Sequence, residues 1–298
     1  MTHDGELDLT VVAAALTTNW GLTSSSITPH NEGMNSQTWF VQALDGRYVA
    51  KAVPVDRRHS FGAGLAAATI VEAAGIPAGA PVPTLSGSTT IVIDGSALAL
   101  LRFVHGSELI GDSIEERSLI GSTLGRVHRA LVGHELPGAG VFPWLDPGAA
   151  HLTVRPWIRP AIEVALTAWL AIPPESLTWA PLHTDPAPEA FRFDLETGVC
   201  GLIDWDLGVV APLLYDLASA EMYVGGPRRS SPLITAYLAT GALSPEELER
   251  GLRPLAQLRW AVQADYFAKR IARGDLTGIG DPSDNETGLE DARRAILG

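Results

Sequence analysis

Leu182-His183-Thr184-Asp185-Pro186-Ala187-Pro188-Glu189, followed after a short interval by Gly201-Leu202-Ile203-Asp204-Trp205-Asp206, is the stretch on which the fold turns. Its first segment holds two prolines and reads as a loop, because proline lacks the N–H that a helix interior or a central strand requires. The second is a short apolar strand ending in a carboxylate that can meet the loop. Acids converging from a loop and a strand end suit a divalent cation together with a proton acceptor. The plainer reading is local: Asp185 capping a turn before Pro186, and Asp204 closing a strand.

Working outward, Tyr215-Asp216-Leu217-Ala218 falls on a helix predicted over residues 212–224. Upstream the pattern is β. Residues 38–44 and 47–53 flank Asp45-Gly46, residues 89–93 and 97–104 flank Asp94-Gly95, and Asp-Gly between apolar runs is a strong hairpin signal. Residues 62–74 are Ala-rich and helical until Gly75-Ile76-Pro77 stops them. Further helices are predicted over 113–132 and 159–172. Ser244-Pro245-Glu246-Glu247 is a capping box that opens a helix running to Arg273, with a kink expected at Pro254. The layout predicts a β-rich lobe over 1–104 and an α-rich lobe over 105–298.

The chain of 298 residues carries 21 Lys+Arg against 34 Asp+Glu, a net charge of −13. A hydrophobic share of 46% and a mean hydropathy of +0.14 exclude intrinsic disorder. The acidic balance argues against nucleic acid or an anionic membrane as partner, since both are gripped by clustered Lys and Arg. Cys200 is the sole cysteine, which leaves no internal disulfide and no thiolate cluster for zinc. The longest uncharged stretch, 73–93, holds Pro77, Pro81 and Pro83 and cannot form one membrane helix. An acidic start without an apolar leader adds to the expectation of a cytoplasmic protein. Among 21 cationic residues only Lys51 and Lys269 are lysines. A lysine kept amid so many arginines is expected where shape and hydration matter.

On the strength of His183-x-Asp185, Ile203-Asp204-Trp205 and Tyr215-Asp216-Leu217-Ala218, in that order and at suitable spacing, the sequence resembles the aminoglycoside phosphotransferase and choline kinase-like family, small-molecule relatives of the protein kinases. The resemblance covers most of the chain and is stronger in the second lobe. It implies an α+β, two-lobed protein kinase-like fold with a small antiparallel-sheet N-lobe and a mostly helical C-lobe. The implied activity is transfer of the γ-phosphoryl group of ATP, with Mg²⁺, to a hydroxyl of a small molecule such as an aminoglycoside or related antibiotic, an amino sugar or an amino alcohol. Asp185 would take the proton of the attacking hydroxyl, Asp204 would hold Mg²⁺, and Asp216 would be a buried structural acid. His183 would orient the loop, or is simply a satisfied core histidine.

In the first lobe the resemblance makes Lys51 the nucleotide-phosphate lysine. Glu72 is then either its partner or an exposed helix residue. Gly33-Met34-Asn35-Ser36 is either the turn over the phosphates, through its N–H groups and the Ser36 hydroxyl, or an ordinary hairpin turn. Leu101-Arg102-Phe103-Val104 sits where a hinge would pair with adenine. Aromatics beside carboxylates suit a cationic acceptor, which points to Glu221, Tyr223, Trp260 and Asp265, with Tyr266 and Phe267. The alternative is that Trp260 and Phe267 are core. One departure stands out: Ala190 occupies the position where the family has a second metal ligand, an Asn, and Glu189 beside it is expected to supply the oxygen instead. Two rivals follow from the same residues: a nucleotide-binding module without turnover, and a metal-dependent phosphoester hydrolase built on His183, Asp185, Asp204 and Asp206.

Overall fold

Both faces of the N-terminal sheet are covered, which the alternation of its central strands requires. The computed structural model describes residues 7–30 and 36–298. Helix α1 (Leu9–Trp20), with the Asp8 carboxylate accepting from Thr10 N at 2.7 Å, is followed by β1 (Ser24–His30), β2 (Gln37–Ala43) and β3 (Gly46–Pro54). After α2 (Arg58–Ala73) come β4 (Ile91–Ile93) and β5 (Ser96–Arg102), completing an antiparallel sheet in the order β1-β2-β3-β5-β4. Side chains alternate between faces along a strand. Ala50, Ala52, Leu98 and Leu100 accordingly pack with Leu16 and Trp20 of α1, whereas Val53, Ala97 and Ala99 pack with Phe61 and Leu65 of α2. Lys51, opposite Ala99 in the register, lies on the α2 face.

Both hairpins form, with one adjustment. Ile93 pairs with Ser96, so Asp94-Gly95 is the two-residue turn, both residues at positive φ (43° and 78°) as a type I′ turn demands. In the first hairpin Ala43 pairs with Gly46, which makes the loop Leu44-Asp45 rather than Asp45-Gly46. Helix α2 also begins four residues earlier than expected, directly after a 3-10 turn over Val55–Arg57.

Beyond β5 the chain turns mainly helical. It runs through β6 (Ser107–Glu108), α3 (Ile114–Leu131), α4 (Ile158–Leu170), β7 (Trp179–Leu182), β8 (Phe191–Asp194), β9 (Val199–Leu202), β10 (Val209–Pro212), α5 (Leu213–Tyr223), α6 (Ser231–Ala239), α7 (Pro245–Arg273) and α8 (Pro282–Leu297). Ser113 caps α3, its hydroxyl accepting from Glu116 N at 3.0 Å. Ser244 caps α7 in the same way, but Glu247 does not close the box. Its carboxylate instead accepts from Thr178 N (2.6 Å) and the Thr178 hydroxyl (2.8 Å), tying α7 to the entrance of β7. α7 continues through Pro254 as one element. Two small sheets, β10-β7 and β6-β8-β9, carry the loops of interest. The result is the two-lobed α+β architecture expected from the sequence. Among the described residues no helix is long and apolar enough to cross a membrane.

Candidate active site

The loop after β7 is held from behind by one buried acid. Asp216, fully buried in the first turn of α5, accepts from His183 N at 2.9 Å and Thr184 N at 2.8 Å. His128 of α3 lies 3.2 Å from the same carboxylate, and its other ring nitrogen is 2.6 Å from the Tyr237 hydroxyl. Thr184 adopts φ 74°, a left-handed conformation that costs a β-branched residue energy and persists only where its surroundings enforce it. The twist turns Asp185 outward, its side chain 62% exposed. His183 faces inward: its Nε2–H donates to the Ile203 carbonyl at 2.7 Å, and its ring stands edge-on to Trp205 at 4.9 Å. It therefore joins the two motif segments through Nε2, while its Nδ1 is buried without a hydrogen-bond partner.

The second loop starts where Ile203 N donates to Ala190 O at 2.9 Å. Asp204 is also left-handed (φ 75°), and Asp206 N donates to Asp204 O at 3.0 Å, closing a three-residue turn about Trp205. Trp205 is buried and donates through Nε1 to Leu202 O at 2.8 Å. This turn sets Asp204 and Asp206 on one side, and Lys51 is ion-paired with both. Burial disfavours the Lys51 ammonium, yet the two carboxylates outweigh it and hold the group above its ordinary range. Burial, then the charge of Asp204, pushes Asp206 up to about 6. Desolvation at the cavity wall pushes Asp204 upward too, but Lys51 keeps it below the usual carboxylate value.

These groups line a cavity of about 490 Å³. Ser36, Lys51, Arg102, Phe103 and Val104 border it from the sheet side, and Asp185, Glu189 and Asp204 from the other. Arg47 places its guanidinium 4.0 Å over the Phe103 ring, with Phe40 edge-on to that ring at 6.3 Å. Glu189 is pushed upward by burial and by the nearby carboxylates of Asp185, Glu108 and Asp204. Asn35 and the rest of the turn at 33–35 lie outside the described residues.

Other expected site residues have different partners. Glu72 accepts from Ala80 N at 2.9 Å and from the Arg102 guanidinium at 2.7 Å, so its carboxylate is spent at the hinge and not on Lys51. Glu221 is buried and accepts from the Ser230 hydroxyl at 2.7 Å. Asp265 pairs with His151 at 2.7 Å. Trp260 and Phe267 pack against the core, Phe267 where a Cβ on Gly288 of α8 would collide with its ring. None of Glu221, Trp260 and Asp265 borders the cavity, because the three sit on flanks of α5 and α7 turned toward other elements. Tyr223 is nearer the chemistry, donating its hydroxyl to Asp185. The residue that sequence reasoning missed is Arg259. It is buried in α7, donates from Nε to Ser219 Oγ at 2.9 Å, and reaches Asp185 Oδ1 at 3.1 Å and the Tyr223 hydroxyl at 3.0 Å. No local pattern marks it as different from the other arginines of α7.

Mg²⁺ fits this donor set. Among the described residues no three His, Cys, Asp or Glu side chains converge as an all-protein cage, but Mg²⁺ is commonly held by one or two carboxylates with phosphates and waters completing its shell. Asp204, more than half exposed to the cavity, offers a hard oxygen. The upward push on Glu189 marks a place where carboxylates crowd. Ala190 contributes no donor atom.

Comparison with known proteins agrees with this geometry. Residues 26–255 match the model of the phosphotransferase enzyme family, APH. The amicoumacin kinase hAmiN, solved with AMP-PNP, Ca²⁺ and Ami, superposes with a TM-score of 0.77 at 13% identity, covering 97% of this chain and 93% of that one. A microcompartment-associated aminopropanol kinase gives 0.71 at 15% identity, with 97% and 95% covered. The choline kinase LicA from Streptococcus pneumoniae gives 0.68 at 13% identity, with 97% and 98% covered. At such identities the likeness is one of fold. Comparison with curated protein sequences gives no significant match.

Proposed function

Since the chain belongs to the phosphotransferase enzyme family and is a small-molecule kinase, we propose that it moves the γ-phosphoryl group of ATP to a hydroxyl of a cation-bearing small molecule: an aminoglycoside or related antibiotic, an amino sugar or an amino alcohol. The observation that carries the reading is that Lys51, Asp204 and Asp185 border one cavity together with residues 102–104. The acceptor oxygen attacks the γ-phosphorus in line, the bond from that phosphorus to the bridging oxygen breaks, and ADP departs with the bond's electrons. The hydroxyl proton goes to Asp185, which Tyr223 and Arg259 hold in place. Lys51 serves the nucleotide phosphates. Asp204, with Glu189 standing in for the asparagine absent at Ala190, holds the Mg²⁺ whose contribution when bound is to neutralise phosphate charge. Glu108 and Asp185 border the cavity already paired with Arg192 and Arg259, so the cationic acceptor is proposed on the likeness to the solved relatives. Solved relatives named for amicoumacin, aminopropanol and choline support the same range.

Calorimetric titration with ATP, with and without Mg²⁺, on the wild type and Asp204→Ala tests this. Mg²⁺ should strengthen binding only in the wild type, and a screen of acceptors should then release ADP. Binding that ignores Mg²⁺ and yields no ADP with any acceptor supports the second reading, a nucleotide-binding protein without turnover, which Ala190 favours. No binding at all removes both.

A further inference from the structure

A buried ammonium needs opposite charge close by, because removing one partner of a buried pair strands the other. Helix α2, which packs over Lys51, offers none. Its single acid, Glu72, is engaged by Arg102 and Ala80 N. Beside Lys51 the helix presents Phe61 and Leu65. Next to them it meets the loop after β9 in backbone contact. A Cβ on Gly64 would lie 2.3 Å from the Trp205 carbonyl oxygen, one on Gly208 would lie 2.3 Å from the Ala63 Cβ, and Gly208 N donates to Ser60 O at 2.9 Å. A carboxylate cannot issue from position 64 without displacing the loop, and the neighbouring positions 61 and 65 carry apolar side chains.

The loop supplies the charge instead, because the turn about Trp205 sets Asp206 beside Asp204 on the Lys51 side. The two acids are not equivalent. Asp204 opens to the cavity at 55% side-chain exposure, while Asp206 lies deeper at 22%. We infer that Asp206 is the standing counter-ion of Lys51, a positioning residue that fills the place a helix carboxylate would take and leaves Asp204 free for the cation when nucleotide binds. The inference rests on the kinase reading of the cavity.

Lys51 and Lys269 are the only lysines, so protein labelled with ¹⁵N-lysine has two side-chain ammonium resonances to follow. The Lys51 resonance should be protected from water exchange in the free protein and with ATP and Mg²⁺ bound. In Asp206→Asn it should broaden away, and the KM for ATP should rise about tenfold or more, by far more than kcat falls. Asp206→Glu should recover part of both. In Asp204→Asn the Lys51 resonance should persist while the Mg²⁺ dependence of ATP binding is lost. Should Asp206→Asn fail to fold, Asp206→Glu carries the test through a shifted Lys51 resonance. An unchanged Lys51 resonance and ATP KM in the Asp206 variants overturns the inference and leaves the kinase reading intact. A wild type that binds no ATP overturns both.

Discussion

The loops 183–190 and 203–208 lie side by side along the cavity, each beginning near a non-glycine residue in the left-handed region, yet they are held by different means. The first is gripped mainly from the helical side, with His183 and Ala190 also tied to Ile203. Asp216 takes its backbone N–H groups, and Tyr223 and Arg259 take Asp185. The second is held across the junction: Trp205 anchors it to β9, while Lys51 of β3 and the backbone of α2 close over it. The Asp216 carboxylate, engaged through both oxygens, fixes the backbone of the first loop from within the second lobe. Close packing against α2 makes the second loop depend on how the lobes meet. Asp185 is thus preset, whereas Lys51 and Asp204 are set by lobe packing.

That contrast can be broken at several points. Asp185→Asn should have the largest effect, lowering ADP release by about 10³-fold, within the range for loss of a positioned proton acceptor, with ATP affinity by calorimetry unchanged. Loss of ATP affinity as well would mean the first loop is not independent of the second. Gly64→Ala should do the reverse, because its methyl group meets the Trp205 carbonyl. We expect ATP binding weakened about tenfold, with the melting temperature lowered by a few degrees, as overpacking costs about 1–3 kcal/mol. Asp216→Ala leaves the His183 and Thr184 N–H groups and His128 without their acceptor, and chemical denaturation should show a loss of about 3 kcal/mol. If stability is kept, the network does not hold the first loop. Arg259→Met should lower kcat several-fold, on the order of 1 kcal/mol, with KM for ATP unmoved.

The smallest effect is expected outside both loops. Burial raises Glu221 above its ordinary value, with the Ser230 hydrogen bond opposing. The folded state therefore holds its proton more tightly than the unfolded one, and stability falls as pH rises from about 4.5 through the raised value. Glu221→Gln should accordingly match the wild type in melting temperature at pH 4 and exceed it slightly at pH 7. Its KM for the acceptor should stay within about twofold, and a larger change would return Glu221 to the acceptor pocket.

Legibility followed the range of the interactions. Asp94-Gly95 was readable because a type I′ turn needs two residues tolerant of positive φ, and Ser113 because its hydroxyl caps a backbone N–H three residues on. The paired-acid segments were readable because proline content and strand ends are local facts. Glu72 misled: it is the only acid on its helix, but which residue an acid meets is decided by helix rotation and by the neighbour's backbone, not by the inventory. Trp260, Phe267 and Asp265 were left open for a related reason, since aromatics and acids on a helix look alike in sequence whether they face a ligand, α8 or His151.

By itself the amino-acid sequence determined the two hairpins of the first lobe, helices α2 to α5 and α7 to within a few residues, and the two acid-bearing segments, all of which rest on residues close along the chain or on strings of fixed spacing. Only the tertiary structure decided that Asp206 and not Glu72 meets Lys51, that Arg259 reaches Asp185, and that Glu221 is interior. The first two contacts join residues far apart in the chain, and the selection of all three depends on packing to within a few tenths of an ångström, which no local pattern encodes.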